Sequence, residues 1–193
     1  MPIRRGEPWG GQGERPGEAP VASTDAELAR LDGAAGPVIV AGGDLWRSLG
    51  APVGRDPVQL LPIDLLDVTI DGAEHVAAAH VVARRSWWHG PILGVMNVGS
   101  LGEWEVAPRA HPNDGRMDVV QVDPEMSLRQ RWEARARLPL GTHVPHPAIV
   151  VRAQRQGSWR FDRPMRVWID GRPVGRARSI EATVRPDAMT VAV

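Results

Sequence analysis

A chain of 193 residues suffices for one domain with a sizeable core. Cysteine and lysine are both absent, which excludes disulfides, thiolate metal sites, a P-loop lysine and a lysine general base. Acidic and basic residues balance at 23 each, so no global charge points to a nucleic acid, and no apolar run approaches the roughly 20 residues of a membrane span.

No signal-type apolar stretch opens the chain, so the expectation is a soluble protein of a reduced, cytoplasmic compartment. Eight Trp against one Phe and no Tyr suggest a core that uses Trp for bulk. Residues 1–22 are rich in Gly and Pro and poor in aliphatic side chains, and predict a flexible arm with Trp9 as its anchor. Residues 23–55 read as a short α/β unit. Thr24-Asp25-Ala26-Glu27 fits a capping box, Leu28 and Leu31 make one apolar face, and Gly33 ends the helix. Pro37 to Ala41 is a buried strand, Gly42-Gly43-Asp44 a tight turn, and Leu45 to Leu49 the start of a second helix.

From residue 56 to 193 the pattern is that of an antiparallel sandwich. Leu66, Val68 and Ile70 alternate with polar residues, Asp71-Gly72 signals a hairpin, and Val76 to Ala83 returns. Further strands are predicted at Pro91–Asn97, Met117–Val122, Ala148–Arg152, Trp159–Phe161, Met165–Ile169, Ser179–Val184 and Met189–Val193. Asp114-Gly115 and Asp170-Gly171 read as two more hairpin turns. One helix interrupts the series, capped by Ser127 with Gln130 and stopped by Pro139. It places Leu128, Trp132 and Ala136 on an inward face. Arg129, Arg131, Arg135 and Arg137 form either a solvated face paired with Glu133 or a cationic surface for phosphate or an anionic membrane. The fold class is therefore mainly β, an antiparallel sandwich with one inserted helix, preceded by a short α/β remnant.

The stretch Ala107-Pro108-Arg109-Ala110-His111-Pro112-Asn113-Asp114-Gly115-Arg116-Met117-Asp118-Val119 resembles the Pro-x-Ala-x-x-x-Asp-Gly-x-x-Asp-Val signature of bacterial diacylglycerol kinase-like lipid kinases. Ile63-Asp64-Leu65, the helix at Ser127–Leu138, Gly141-Thr142-His143 and Val167-Trp168-Ile169-Asp170-Gly171 resemble further family features in the same order. The resemblance implies a nucleotide-binding α/β domain followed by a C-terminal β-sandwich. It also implies ATP at a Gly-Gly-Asp-Gly-Thr loop, a structural Mg²⁺ and a glutamate general base. Two positions depart from it. Gly42, Gly43 and Asp44 are followed by Leu45 and Trp46 instead of Gly and Thr, which argues against ATP. Arg172 stands where the resemblance implies the base, and an arginine cannot accept a proton; Asp170 is the adjacent carboxylate.

The implied Mg²⁺ site comprises the Asp114 carboxylate with the backbone carbonyls of His111 and Arg116, a set that suits a weakly held, hydrated cation and equally an ordinary turn. Arg84, Arg85, Trp87 and Trp88, with Arg129 and Arg135, suit a lipid or membrane-surface contact, or else a strand end with core tryptophans. His143 and His146 have metal-like spacing, and His75, His80 and His89 add candidates, but no third ligand can be placed, so they read as structural or solvent-exposed. Three functions follow: a degenerate accessory sandwich that binds a lipid, a peripheral membrane surface or a protein partner; an ATP- and Mg-dependent lipid kinase that completes its site with another chain; or a structural protein that pairs, as a homodimer for instance, through a sheet edge.

Overall fold

In the computed structural model, residues 8–52 and 57–193 are described. The chain begins with β1 (Gly11–Gly13), β2 (Val21–Ala22), α1 (Asp25–Arg30), β3 (Val38–Val40) and α2 (Gly43–Ser48). The sandwich strands follow: β4 (Val58–Ile70), β5 (Ala73–Ala77), β6 (His80–Arg84), β7 (Ile92–Met96), β8 (Ser100–Leu101), β9 (Trp104–Glu105) and β10 (Met117–Val122). Then come α3 (Leu128–Arg137) with a 3₁₀ turn at Leu138–Leu140, β11 (Ile149–Gln154), β12 (Gln156–Ile169) and β13 (Arg172–Ala192).

One path of hydrogen-bonded strands runs β1-β4-β13-β12-β6-β7-β10-β11, with β5 beside β4. Residues from its two ends share a core: Leu66, Val68 and Ile70 of β4 and Ile180 and Ala182 of β13 join Val81, Val95 and Val119 of β6, β7 and β10. The sheet therefore curls on itself into a sandwich. Register shifts between Arg160 and Met165 in β12, and between Arg185 and Met189 in β13, supply the bends. These bends also merge strands that the sequence pattern separates, at Trp159–Phe161/Met165–Ile169 and at Ser179–Val184/Met189–Val193.

The α/β remnant is continuous with the sandwich. β3 runs parallel to the end of β13 (Val38 opposite Val191), and β2 runs parallel to β3. Leu28, Val38, Val40 and Leu45 pack on Leu61, Ile63, Leu65 and Val191, covering the second face of β4 and β13. Of the Gly/Pro-rich segment expected to be a flexible arm, residues 1–7 lie outside the described residues, and Trp9, β1 and β2 are tied to the sheet. β1 pairs with Val58–Leu60, and the Trp9 indole N–H donates to the Pro62 carbonyl at 2.9 Å. The backbone ladder provides what its side chains cannot.

The turns at Asp71-Gly72 and Asp170-Gly171 have positive φ at both positions (45° and 89°; 47° and 76°), the geometry that matches the strand twist in a two-residue hairpin. Asp114-Gly115 differs from expectation. It belongs to the loop before β10, pinned by the buried Asp64, whose carboxylate accepts the Gly115 and Asp187 amides at 2.7 and 2.9 Å. Helix α3 has its expected capping box, but its faces are reversed. Leu128 and Trp132 are 64% and 63% exposed, whereas Arg131 is 4% exposed. Arg131 donates to the carbonyls of Met126, Gly90 and Asp123 at 3.0, 2.6 and 2.9 Å, which is how a cation can occupy the inward position.

Candidate functional site

Four polar side chains meet where the remnant joins the sandwich. Asp25, at the start of α1, points its carboxylate at the first turn of α2 and accepts the amides of Asp44 (2.6 Å) and Leu45 (3.0 Å). The glycines of the preceding turn are required by that approach. A Cβ on Gly43, which has φ +98°, would lie 2.5 Å from the Asp25 carboxylate, and one on Gly42 would lie 2.5 Å from the Ser23 carbonyl. The Gly-Gly turn thus wraps a carboxylate of its own chain. Asp44 accepts from Gly102 N–H (2.9 Å) and Arg47 (2.7 Å) through one oxygen and meets His80 Nε2 at 2.9 Å through the other. Asp170 accepts the three amides of Ala78, Ala79 and His80 at 2.8–2.9 Å. Those amides are drawn to the carboxylate, so the expected Val76–Ala83 strand breaks into β5 and β6.

The charges of this cluster are set by burial against partners. Burial raises the pKa of Asp25 and of Asp170 above the usual carboxylate range, outweighing the amide hydrogen bonds each accepts. Burial also pushes Asp44 upward, but the His80 contact and the Gly102 and Arg47 hydrogen bonds prevail and lower it. For His80, burial opposes the charge, yet the Asp44 hydrogen bond and the charges of Asp170, Asp44 and Asp25 raise its pKa. Asp25, Asp44 and His80 offer ligand atoms within 4.8 Å of one another, the spacing of a metal site. Every one of those carboxylate oxygens already accepts a hydrogen bond, whereas the buried His80 Nδ1 has no hydrogen-bond partner.

This cluster floors a cleft of about 460 Å³ whose other wall carries Arg84, Trp87, Trp104 and Trp168. The Arg84 guanidinium lies between Trp87 and Trp168, 4.1 and 4.2 Å from their ring centres. Trp87 meets Trp104 edge-on at 5.4 Å, and Arg135 of α3 stacks over Trp104 at 4.6 Å and Trp88 at 5.7 Å. Beyond Trp87 and Trp104 lies a second, narrow cavity of about 90 Å³, lined almost wholly by apolar groups including Met96, Val120, Met126 and Ile149 and roofed by α3.

The predicted residues divide accordingly. Gly43, Asp44 and Asp170 lie at the cleft floor, Gly42 lies behind it against the Ser23 carbonyl, and Arg84, Trp87, Trp88 and Arg135 come together at the cleft wall and at the slot. Arg172 is exposed and faces a different surface, beside Arg30, Glu74 and His75. Arg85 points to the opposite side, near Phe161 and Asp162, and Arg129 is exposed and pairs with Glu133. The expected Trp-rich core does not form. None of the described tryptophans is fully buried: Trp132 is exposed on the outward face of α3, and the others rim the cleft and the slot or lie at the edge of a core. His143 meets the Val106 carbonyl and His146 accepts the Ala148 amide, both local structural contacts. Sequence reasoning missed Asp25 and Asp64 as site residues, and it read His80 as a structural or solvent-exposed histidine. Only Asp64 left a signal, an acid inside an otherwise apolar strand.

At the loop before β10, the Asp114 carboxylate accepts the Arg116 amide at 2.9 Å, and the His111 carbonyl takes only a long contact of 3.4 Å from Asp114 N–H. Burial raises the pKa of Asp114, and burial with the Asp114 charge raises that of Asp118. A half-buried Asp114 carboxylate, the buried Asp118 carboxylate and backbone carbonyl oxygens fit a hydrated hard cation in donor type.

A protein-family comparison decides the ancestry. The family model described as the YegS C-terminal NAD kinase beta sandwich-like domain matches residues 61–193, more than half of the chain. The chain belongs to this family. Its fold is that of solved structures assigned as diacylglycerol kinases from Bacillus anthracis str. Sterne. One aligns with a TM-score of 0.65 at 11% identity, over 89% of this chain and 76% of the other. A second aligns with a TM-score of 0.63 at 12% identity, over 89% and 74%. No curated protein matches the chain. Among the described residues, no helix is long and apolar enough to cross a membrane.

Proposed function

We propose that this lipid-kinase-family protein binds an amphiphilic lipid without phosphorylating it, acting as an accessory domain at a membrane surface in the cytoplasm. The observation that carries the reading is the Gly42-Gly43 turn closed on Asp25. A nucleotide phosphate would have to displace a carboxylate that accepts two amides, and would meet three further acidic or acid-paired groups. The base position supports the same reading. Arg172 cannot take a proton from a hydroxyl, and the Asp170 oxygens accept three amides. Phosphoryl transfer needs a phosphate clamp, a metal and an oriented hydroxyl together.

The apolar slot supports lipid binding because it opens beside a polar cleft, the arrangement an amphiphile needs. Mg²⁺ at Asp114 and the His111 and Arg116 carbonyls serves, in this reading, as a structural ion outside the chemistry. The test incubates the purified protein with radiolabelled ATP, Mg²⁺ and vesicles of diacylglycerol in phosphatidylcholine, and measures vesicle co-sedimentation in parallel. Sedimentation without label transfer is the expected result. Label transfer to the lipid would instead support an ATP-dependent lipid kinase that completes its nucleotide site with another chain.

A further inference from the structure

Two arginines in this chain stand apart from the others near the site. Arg47, Arg185 and Arg129 each pair with a carboxylate, and Arg131 is held by carbonyls. Arg84 and Arg135 have no carboxylate within 4.0 Å among the described residues, and the buried Arg84 Nε has no hydrogen-bond partner. Both are instead held by aromatic faces, in the continuous run Trp168, Arg84, Trp87, Trp104, Arg135, Trp88. Stacking occupies the faces of a guanidinium and leaves its N–H edges free, and those edges match the geometry of phosphate or carboxylate oxygens. A side chain fixed in this way also loses little entropy when a ligand arrives.

We propose that Arg84 and Arg135 receive the anionic headgroup of a single-chain amphiphile, a phosphate monoester or carboxylate, whose alkyl chain enters the slot beside Trp88 and Trp104. This deepens the lipid-binding reading and rests on it. The headgroup lies at the aromatic wall, because Asp44 at the cleft floor would repel it. The slot, about 90 Å³, holds only about three water-sized volumes at ~30 Å³ each. It therefore accepts the first methylenes of one chain, beside Ala134 of α3 and Leu138 of the 3₁₀ turn, and the rest of the chain stays outside it.

The test titrates the protein with decyl phosphate, decanol and inorganic phosphate, following the indole N–H signals of Trp88 and Trp104 by NMR. Decyl phosphate is expected to bind at least tenfold more tightly than decanol, with no saturable response to inorganic phosphate. Arg135→Gln, at an exposed position, should weaken decyl phosphate about tenfold and leave decanol within twofold. Arg84→Lys, which keeps the charge and loses the fork, should weaken decyl phosphate and leave decanol within twofold. Equal affinity for decyl phosphate and decanol would overturn the headgroup assignment and leave lipid binding standing. Inorganic phosphate binding as tightly as decyl phosphate would overturn the chain assignment. Failure of both amphiphiles would remove both readings.

Discussion

Replacing Arg131 by methionine keeps most of the side-chain volume and removes three short hydrogen bonds, to Gly90 (2.6 Å), Asp123 (2.9 Å) and Met126 (3.0 Å). Two longer contacts, to Trp87 and Pro124 at 3.4 and 3.5 Å, add little. A hydrogen bond to a charged group contributes about 1.5–3 kcal/mol, but the desolvation of the buried guanidinium opposes it, so about 1 kcal/mol per bond is the reasonable figure. The expected loss is about 3 kcal/mol. With a urea dependence of about 2 kcal/mol/M, the unfolding midpoint should fall by about 1.5 M. Arg131 also ties α3 to the loop carrying Trp87 and Gly90, so the same variant should weaken decanol binding at the slot. A midpoint change below about 0.3 M would refute the argument that these carbonyls explain the inverted face of α3.

Gly43→Ala should destabilise by about 2–3 kcal/mol, since it adds positive-φ strain to a collision with the Asp25 carboxylate. In an Asp25→Ala background the collision disappears, so a double-mutant cycle read by urea unfolding should give a coupling of about 1 kcal/mol or more. The raised pKa of His80 means that its contribution to stability is complete below its unfolded value of about 6.5 and is lost as pH rises through the folded value. His80→Gln should therefore flatten the decline in unfolding free energy above pH 6.5 measured for the parent protein. Leu128→Ser and Trp132→Ser, both on the outward face of α3, should each change stability by no more than about 0.5 kcal/mol. A larger loss in thermal melts would mean that face is covered in solution.

The sandwich was legible because its strands alternate with period two and its hairpins carry Asp-Gly, whose positive φ values the turns at 71–72 and 170–171 adopt. The merged strands were not, because the register shifts in β12 and β13 are set by tertiary curvature and leave no local mark. The pairing of β1 was not legible for a related reason: composition measures what side chains can bury, whereas β1 is held by backbone pairing to β4. Helix α3 shows the limit of periodicity. Leu128 and Trp132 have inward spacing, yet carbonyls converging from residues 90, 123 and 126 select Arg131 for the inside. At the site, Gly42, Gly43 and Asp44 could be located by motif, but the residue that fills their turn, Asp25, sits 19 positions before Asp44 and looks like an ordinary helix-start acid. Its role exists only once the two helices meet.

The measurement that bears most directly on this account is calorimetric titration of the purified protein with Mg·ATP, with Mg²⁺ alone as control. The filled Gly-Gly turn predicts no saturable heat beyond the control, whether or not Mg²⁺ alone gives a weak isotherm from the Asp114 loop. A saturable ATP isotherm above the control would show that a nucleotide displaces Asp25, and would contradict the reading of this protein as a lipid-kinase relative that binds without catalysing.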